Sequence, residues 1–125
     1  MIEEIAFINR LYTRFNARDI DGVLTMLDPD VIWANGMDGG QEHGRDAVRA
    51  YWTRQFAMID ASVDPMSISI QPSGTIIVEV RQVVRDLKGK VLSDQMVGHI
   101  FALADGKITR FDIRGASEPT KSLPR

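Results

Sequence analysis

Apolar residues recur at steps of three and four through Ile5, Ile8, Leu11, Tyr12 and Phe15, the stripe of an amphipathic helix over residues 2–16. Asn16-Ala17-Arg18 breaks that pattern, Asp19 supplies an N-cap, and Ile20, Val23, Leu24 and Leu27 draw a second, shorter stripe that Asp28-Pro29-Asp30 ends. Residues 31–35 (VIWAN) are β-branched and aromatic and stop at Gly36, which predicts a short strand followed by a polar loop to His43. From Gly44, the spacing of Val48, Tyr51, Trp52, Phe56 and Ile59 predicts a third helix ending near Asp60. Beyond it the period becomes alternating. Strands are predicted at 65–71, 75–86, 91–103 and 107–114, with hairpin turns at Pro72-Ser73-Gly74, Lys88-Gly89 and Asp105-Gly106. Helices first and an antiparallel meander afterwards make an α+β domain rather than a parallel sheet. Residues 1–114 read as one domain, and 115–125 (GASEPTKSLPR), without periodicity, as a loose C-terminal tail.

A chain of 125 residues leaves room for one core. Fifteen basic against seventeen acidic side chains, with no long basic run, argue against a surface that tracks phosphates, so no nucleic-acid partner is expected. The absence of Cys removes disulfides and thiol chemistry and fits a reducing compartment. The opening MIEEIAF places acids where a secretory signal needs cations, and no apolar stretch reaches the roughly 18 residues of a membrane span. A cytoplasmic protein without a membrane partner is expected.

Three segments, YTRFNARDIDGVLTMLDPDVIW (12–33), HGRDAVRAYW (43–52) and GHIFALADGKITRFDI (98–113), resemble the nuclear-transport-factor-2-like superfamily, in its SnoaL-like and ketosteroid-isomerase-like branch. The resemblance runs from about residue 5 to residue 114. It implies a cone-shaped, curved antiparallel sheet wrapped by three N-terminal helices, a cystatin-like α+β barrel with one internal pocket. It also implies a frequent dimer packed on the outer face of the sheet. Members include cyclases, isomerases, dehydratases, epoxide hydrolases and noncatalytic binding modules, so the fold alone does not choose a function. The isomerase arrangement implied by the resemblance needs a phenol, a carboxylate base and a protonated acid, and ungapped alignment sets these on Leu11, Asn35 and Gly98. None has the required group. Tyr12 adjoins the phenol position but is rotated from it by about 100 degrees around the helix. The acid of the epoxide-hydrolase arrangement falls on Ile113.

Two-residue turns fix which strand residues face each other. A turn at Lys88-Gly89 sets Glu79 opposite Gly98, and one at Asp105-Gly106 sets His99 opposite Asp112. One face then carries Glu79, Arg81, Met96, Gly98, Phe111 and Ile113, and the other Val78, Val80, Gln82, Val84, His99, Phe101 and Asp112. The resemblance assigns the first face to the pocket, whereas the valines argue that the second is buried; a single bulge would reconcile them. Apolar residues on both faces suggest a homodimer.

The candidate catalytic pair is His99 and Asp112, a carboxylate orienting an imidazole base, with a structural hydrogen bond as the alternative. Candidate substrate contacts are Arg81 and Glu79, which could equally form a solvated ion-pair face, together with Met96 and Phe111. Trp33 and Asn35 point to one side of the first strand, Trp33 as a pocket wall or plain core, Asn35 as a neutral hydrogen-bonding group. His43 is a rim ligand or an exposed loop residue. Two His without a helical HxxxH spacing point to no metal site, and no cofactor is implied. The expected ligand is a small, largely apolar molecule. Either a cofactor-independent isomerase or cyclase acting on a carbonyl compound, or a noncatalytic binding or interaction module, follows from this set. A titratable group inside the pocket separates the two.

Overall fold

The first helix buries the centre of the stripe that the sequence draws, leaving Ile5 exposed and Phe15 half-buried. A computed structural model describes residues 2–117, in which helix α1 (Ile2–Asn16) places Ile8, Leu11 and Tyr12 in the core. Its last residue ties it to the sheet, since the Asn16 amide donates to the Val63 carbonyl at 2.7 Å and accepts from the Val63 N–H at 2.9 Å. Helix α2 (Ile20–Leu24) is shorter than its stripe. The Asp19 carboxylate caps it through the Gly22 N–H at 2.9 Å, so closely that a Cβ at Gly22 would overlap the carboxyl group. Helix α3 (Arg45–Met58) follows a hairpin made by β1 (Leu27–Ala34) and β2 (Gln41–His43). Four long strands complete the chain: β3 (Asp60–Ile70), β4 (Ile76–Arg85), β5 (Val91–Ala104) and β6 (Lys107–Ser117).

These strands form one curved, unclosed sheet in the order β2-β1-β6-β5-β4-β3, the α+β architecture expected. Neighbours run antiparallel except β1 and β6, which are parallel. Asp28-Pro29-Asp30, expected to end a helix, lies inside β1, where the register against β6 slips between Leu27 and Ile32 and so accommodates a proline without a ladder hydrogen bond. Pro65 is likewise tolerated because β3 is an edge strand. That strand begins at Asp60, five residues earlier than predicted. Residues 115–117, assigned to the tail, extend β6 and bring Ser117 opposite Met96; the rest of the expected tail, 118–125, lies outside the described residues. No helix among the described residues is long and apolar enough to cross a membrane.

The pairing arithmetic holds for the first hairpin and fails in the second. Glu79 faces Gly98 and Arg81 faces Met96, as the turn at Lys88-Gly89 requires. In the β5–β6 ladder Ala104 faces Lys107 and Leu103 faces Ile108, but the next pair is Ala102 with Arg110. Thr109 is the extra residue, and its hydroxyl donates to the Ala102 carbonyl at 3.1 Å. From there every β6 residue changes partner: His99 meets Ile113, and Asp112 meets Ile100. The bulge turns Phe111 inward to join Val78, Val80, His99 and Phe101 in the core.

Hydrophobic periodicity therefore decides the buried face. The valines that suggested a second covered face belong to the single core, with Val78 and Val80 fully buried. The opposite face carries exposed ion pairs: Arg81 with Asp94 at 2.6 Å, Arg114 with Glu79 at 2.8 Å and Arg110 with Asp112 at 2.8 Å.

Candidate functional site

A cavity of about 310 Å³ opens between the inner face of the sheet and the helices. Helix α1 contributes Tyr12 and Phe15, β1 contributes Trp33, α3 contributes Tyr51, Trp52 and Gln55, and β4 to β6 contribute Gln82, Gln95, His99, Phe101, Phe111 and Ile113. Its aromatic wall is continuous. Trp33 stacks on Phe111 with centroids 4.1 Å apart and meets Trp52 edge-on at 5.2 Å, while His99 packs edge-on against Phe111 at 4.8 Å. Among the described residues, none with a formal charge lines it.

The titratable centre is a pair. Tyr12 Oη lies 2.7 Å from His99 Nδ1, with the two rings nearly parallel. Burial drives the imidazole down to about 3, because an imidazolium in an apolar wall loses its hydration. Burial likewise raises the Tyr12 phenol far above its usual range, so both groups are neutral at pH 7. Tyr51 is also pushed up by burial, partly offset by backbone donors. Its oxygen accepts the Gly36 N–H at 3.0 Å and so pins the loop at the cavity mouth.

The predicted site residues divide sharply. His99, Trp33 and Phe111 line the cavity. Asp112 does not reach His99: the bulge at Thr109 moves it one position along the ladder, and its carboxylate binds Arg110 on the outer face. Glu79, Arg81 and Met96 lie on that same outward row and line no part of the cavity, because strand parity places them opposite to the buried valines. Asn35 is buried yet committed to its own loop. Its oxygen accepts the Met37 and Asp38 N–H groups at 2.9 and 2.8 Å, and its amide donates to Glu42 at 2.9 Å, a turn that an Asx residue favours. His43 is exposed on β2 and also stands apart from the cavity.

Replacing Asn35 by Asp sets a carboxylate against Glu42 in place of an amide. We expect a stability loss of about 1–3 kcal/mol at pH 7 that shrinks relative to the parent protein toward pH 4.5, as one of the two acids takes up a proton. Urea midpoints for the two proteins across that range check it, and a constant difference would show that the repulsion is not the cause.

Sequence reasoning passed over Tyr12, Gln55 and Gln82. The signals were present: Tyr12 sits beside buried Ile8 and Leu11 on α1, Gln82 continues the inward row of buried Val78 and Val80, and Gln55 occupies a core position three residues after Trp52. Ungapped alignment hid Tyr12 by giving the phenol position to Leu11, which also lines the cavity, and hid Gln82 by turning Gly98 rather than His99 toward the pocket.

The profile of the family described as SnoaL-like domain matches residues 8–111. Comparison with curated protein sequences gives no match. Among solved structures, TerC crystallised with polyporic acid is 26% identical with a TM-score of 0.77, the match covering 88% of each chain. An NTF2-like protein of unknown function from Burkholderia pseudomallei is 26% identical over 91% of each chain, with a TM-score of 0.80. A candidate polyketide cyclase from Sinorhizobium meliloti, 17% identical, shares the fold at a TM-score of 0.75 over 87% of this chain and 94% of its own.

Proposed function

Because the chain belongs to the SnoaL-like domain family, we propose that its cavity takes an uncharged, flat carbonyl compound. His99 and Tyr12 then act together on the carbonyl end, without a cofactor, in keto–enol proton transfer of the isomerase or cyclase type. The observation that carries this reading is the 2.7 Å contact between Tyr12 Oη and His99 Nδ1 in a cavity whose other lining, among the described residues, holds no ionisable base. TerC, a 26% identical relative crystallised with polyporic acid, supports a ring-bearing ligand.

A buried imidazole that resists protonation cannot hold a proton as a free imidazolium at pH 7, so the pair must release one proton as it takes another. With its proton on Nδ1 and donated to the Tyr12 oxygen, His99 presents a bare Nε2 while the phenol O–H is free to donate. Nε2 removes a proton from the carbon beside the carbonyl, and the C–H electron pair becomes the enol double bond. At the same time the phenol proton passes to the carbonyl oxygen, and the Nδ1 proton moves to the phenol. The pair ends with Nε2 protonated and Tyr12 donating to Nδ1. No net charge develops, which suits an apolar site. Reversal at another carbon completes an isomerisation, and the enol is also the nucleophile that an intramolecular ring closure needs.

A second reading, a noncatalytic binder, is favoured by the absence of any carboxylate among the described lining residues. Deuterium exchange from solvent into the α-position of 1-tetralone, followed by NMR at pH 7, separates them. We expect exchange above buffer, lost in His99→Phe and lowered by about 100-fold in Tyr12→Phe. Binding seen by tryptophan fluorescence without exchange selects the binder, and neither binding nor exchange overturns both.

A further inference from the structure

We propose that the end of the cavity remote from His99 is a second, uncharged polar subsite formed by Gln55, Gln82 and Gln95. It selects elongated ligands that carry a hydroxyl or carboxamide group far from the carbonyl end, and the proposal rests on the reading of His99 and Tyr12 above.

The inward residues of β5 run His99, Val97, Gln95 and Ser93, and their partners on β4 are Val78, Val80, Gln82 and Val84. Gln95 and Gln82 thus face one another across the ladder, four residues from His99, or about 13 Å along the strand. Buried Val80 and Val97 separate the two polar rows. Gln55 comes to the same end from the opposite wall. It lies one helical turn before Ile59, and the strand that follows sets Val63 beside Gln82 and Ala61 beside Val84.

Only 6% of Gln55 is exposed, yet its amide makes no hydrogen bond to any described residue, and neither do the amides of Gln82 and Gln95. Gln82 and Gln95 are half-buried, and no fully buried side-chain nitrogen or oxygen among the described residues lacks a partner, so these amides open onto the cavity and are free to bond a ligand there. Three amides brought together supply paired donors and acceptors, which match a group that also donates and accepts. A carboxylate is a poor match. No Lys or Arg among the described residues lines the cavity, so an anion would lose its hydration without gaining a cation. Recognition at this end is therefore of a neutral oxygen or nitrogen group, and the spacing from His99 sets the length of the molecule.

Three rigid probes test this by quenching of tryptophan fluorescence: trans-4-hydroxystilbene, trans-4,4′-dihydroxystilbene, and trans-4-hydroxystilbene carrying a 4′-carboxylate. The shared phenol mimics an enol at His99, and the second substituent reaches the amide end. We expect the diol to bind at least tenfold more tightly than the monophenol, and the carboxylate to gain no such advantage. Combined Gln82→Leu and Gln95→Leu substitution should erase the preference for the diol, read as the ratio of diol to monophenol dissociation constants in the same protein, and Gln95→Met alone should reduce that ratio. Equal binding of diol and monophenol, or an equal loss of both in the variants, overturns the subsite. If the monophenol binds and is lost in His99→Phe while the second hydroxyl adds nothing, the subsite falls and the reading of His99 stands. If no probe binds, both fall.

Discussion

Lowering the pH from 7 to 4 should cost the folded protein about 3 kcal/mol through His99 alone, a loss that His99→Gln should largely abolish. In the unfolded chain the imidazole titrates near 6.5, whereas in the fold burial holds it near 3. Above 6.5 the side chain is neutral in both states and adds no pH dependence. Between 6.5 and 3 the unfolded state binds a proton that the folded state refuses, so stability falls at about 1.4 kcal/mol per pH unit. Below 3 both states are protonated and the slope from this residue ends. For a domain whose total stability is of order 5–15 kcal/mol, that is a large share. The carboxylates also titrate in acid, but they are common to both proteins, so the difference between the two curves isolates His99. Urea midpoints at half-unit steps of pH supply the curves. Parallel curves between 6.5 and 4.5 would mean that the imidazole is protonated in the fold, which would also remove the charge-neutral transfer argued for Tyr12 and His99.

How far the fold and site were legible in the sequence can be traced to single residues. Ile8, Leu11 and Tyr12 of the α1 stripe are buried as their periodicity implies, and Val78 and Val80 settle in favour of the valines the choice of face that the sequence leaves open on β4. Trp33 and Phe111 were identified as candidate ligand contacts and do line the cavity. The pairing of His99 with Asp112 was not recoverable, since it depended on whether one residue, Thr109, was counted in the ladder. Nothing in ITRFDI distinguishes a bulge from a regular strand, and a slip of one residue exchanges the faces. Pro29 misled for a related reason. Proline ends a regular strand, but it fits where the register is already broken. Asn35 was seen as polar and inward along a strand, whereas the strand ends at Ala34 and the Asn35 side chain organises the turn that follows.

Trp33 carries the second large effect, because it belongs to the core and to the ligand wall at once. It is 5% exposed, stands opposite Phe111 in the parallel β1–β6 pair, and touches Trp52 and Phe101 edge-on. Trp33→Ala deletes the ring that joins the sheet to α3 and enlarges the cavity, and removal of a buried aromatic of this size costs about 3–5 kcal/mol. Loss of the stacked and edge-on pairs contributes within that figure, at about 0.5–1.5 kcal/mol each. Trp33→Phe keeps a ring over Phe111 and should lose less than half as much. The conservative variant keeps the comparison measurable if the alanine protein does not fold. Urea denaturation gives the stabilities, and the stilbene titrations give the consequence for binding, with monophenol affinity falling in Trp33→Phe as the flat wall shrinks. A loss below about 1 kcal/mol in Trp33→Ala would show that the indole contributes little packing to the core. Trp33 would then act only as a wall for the ligand, and its retention would be explained by binding alone.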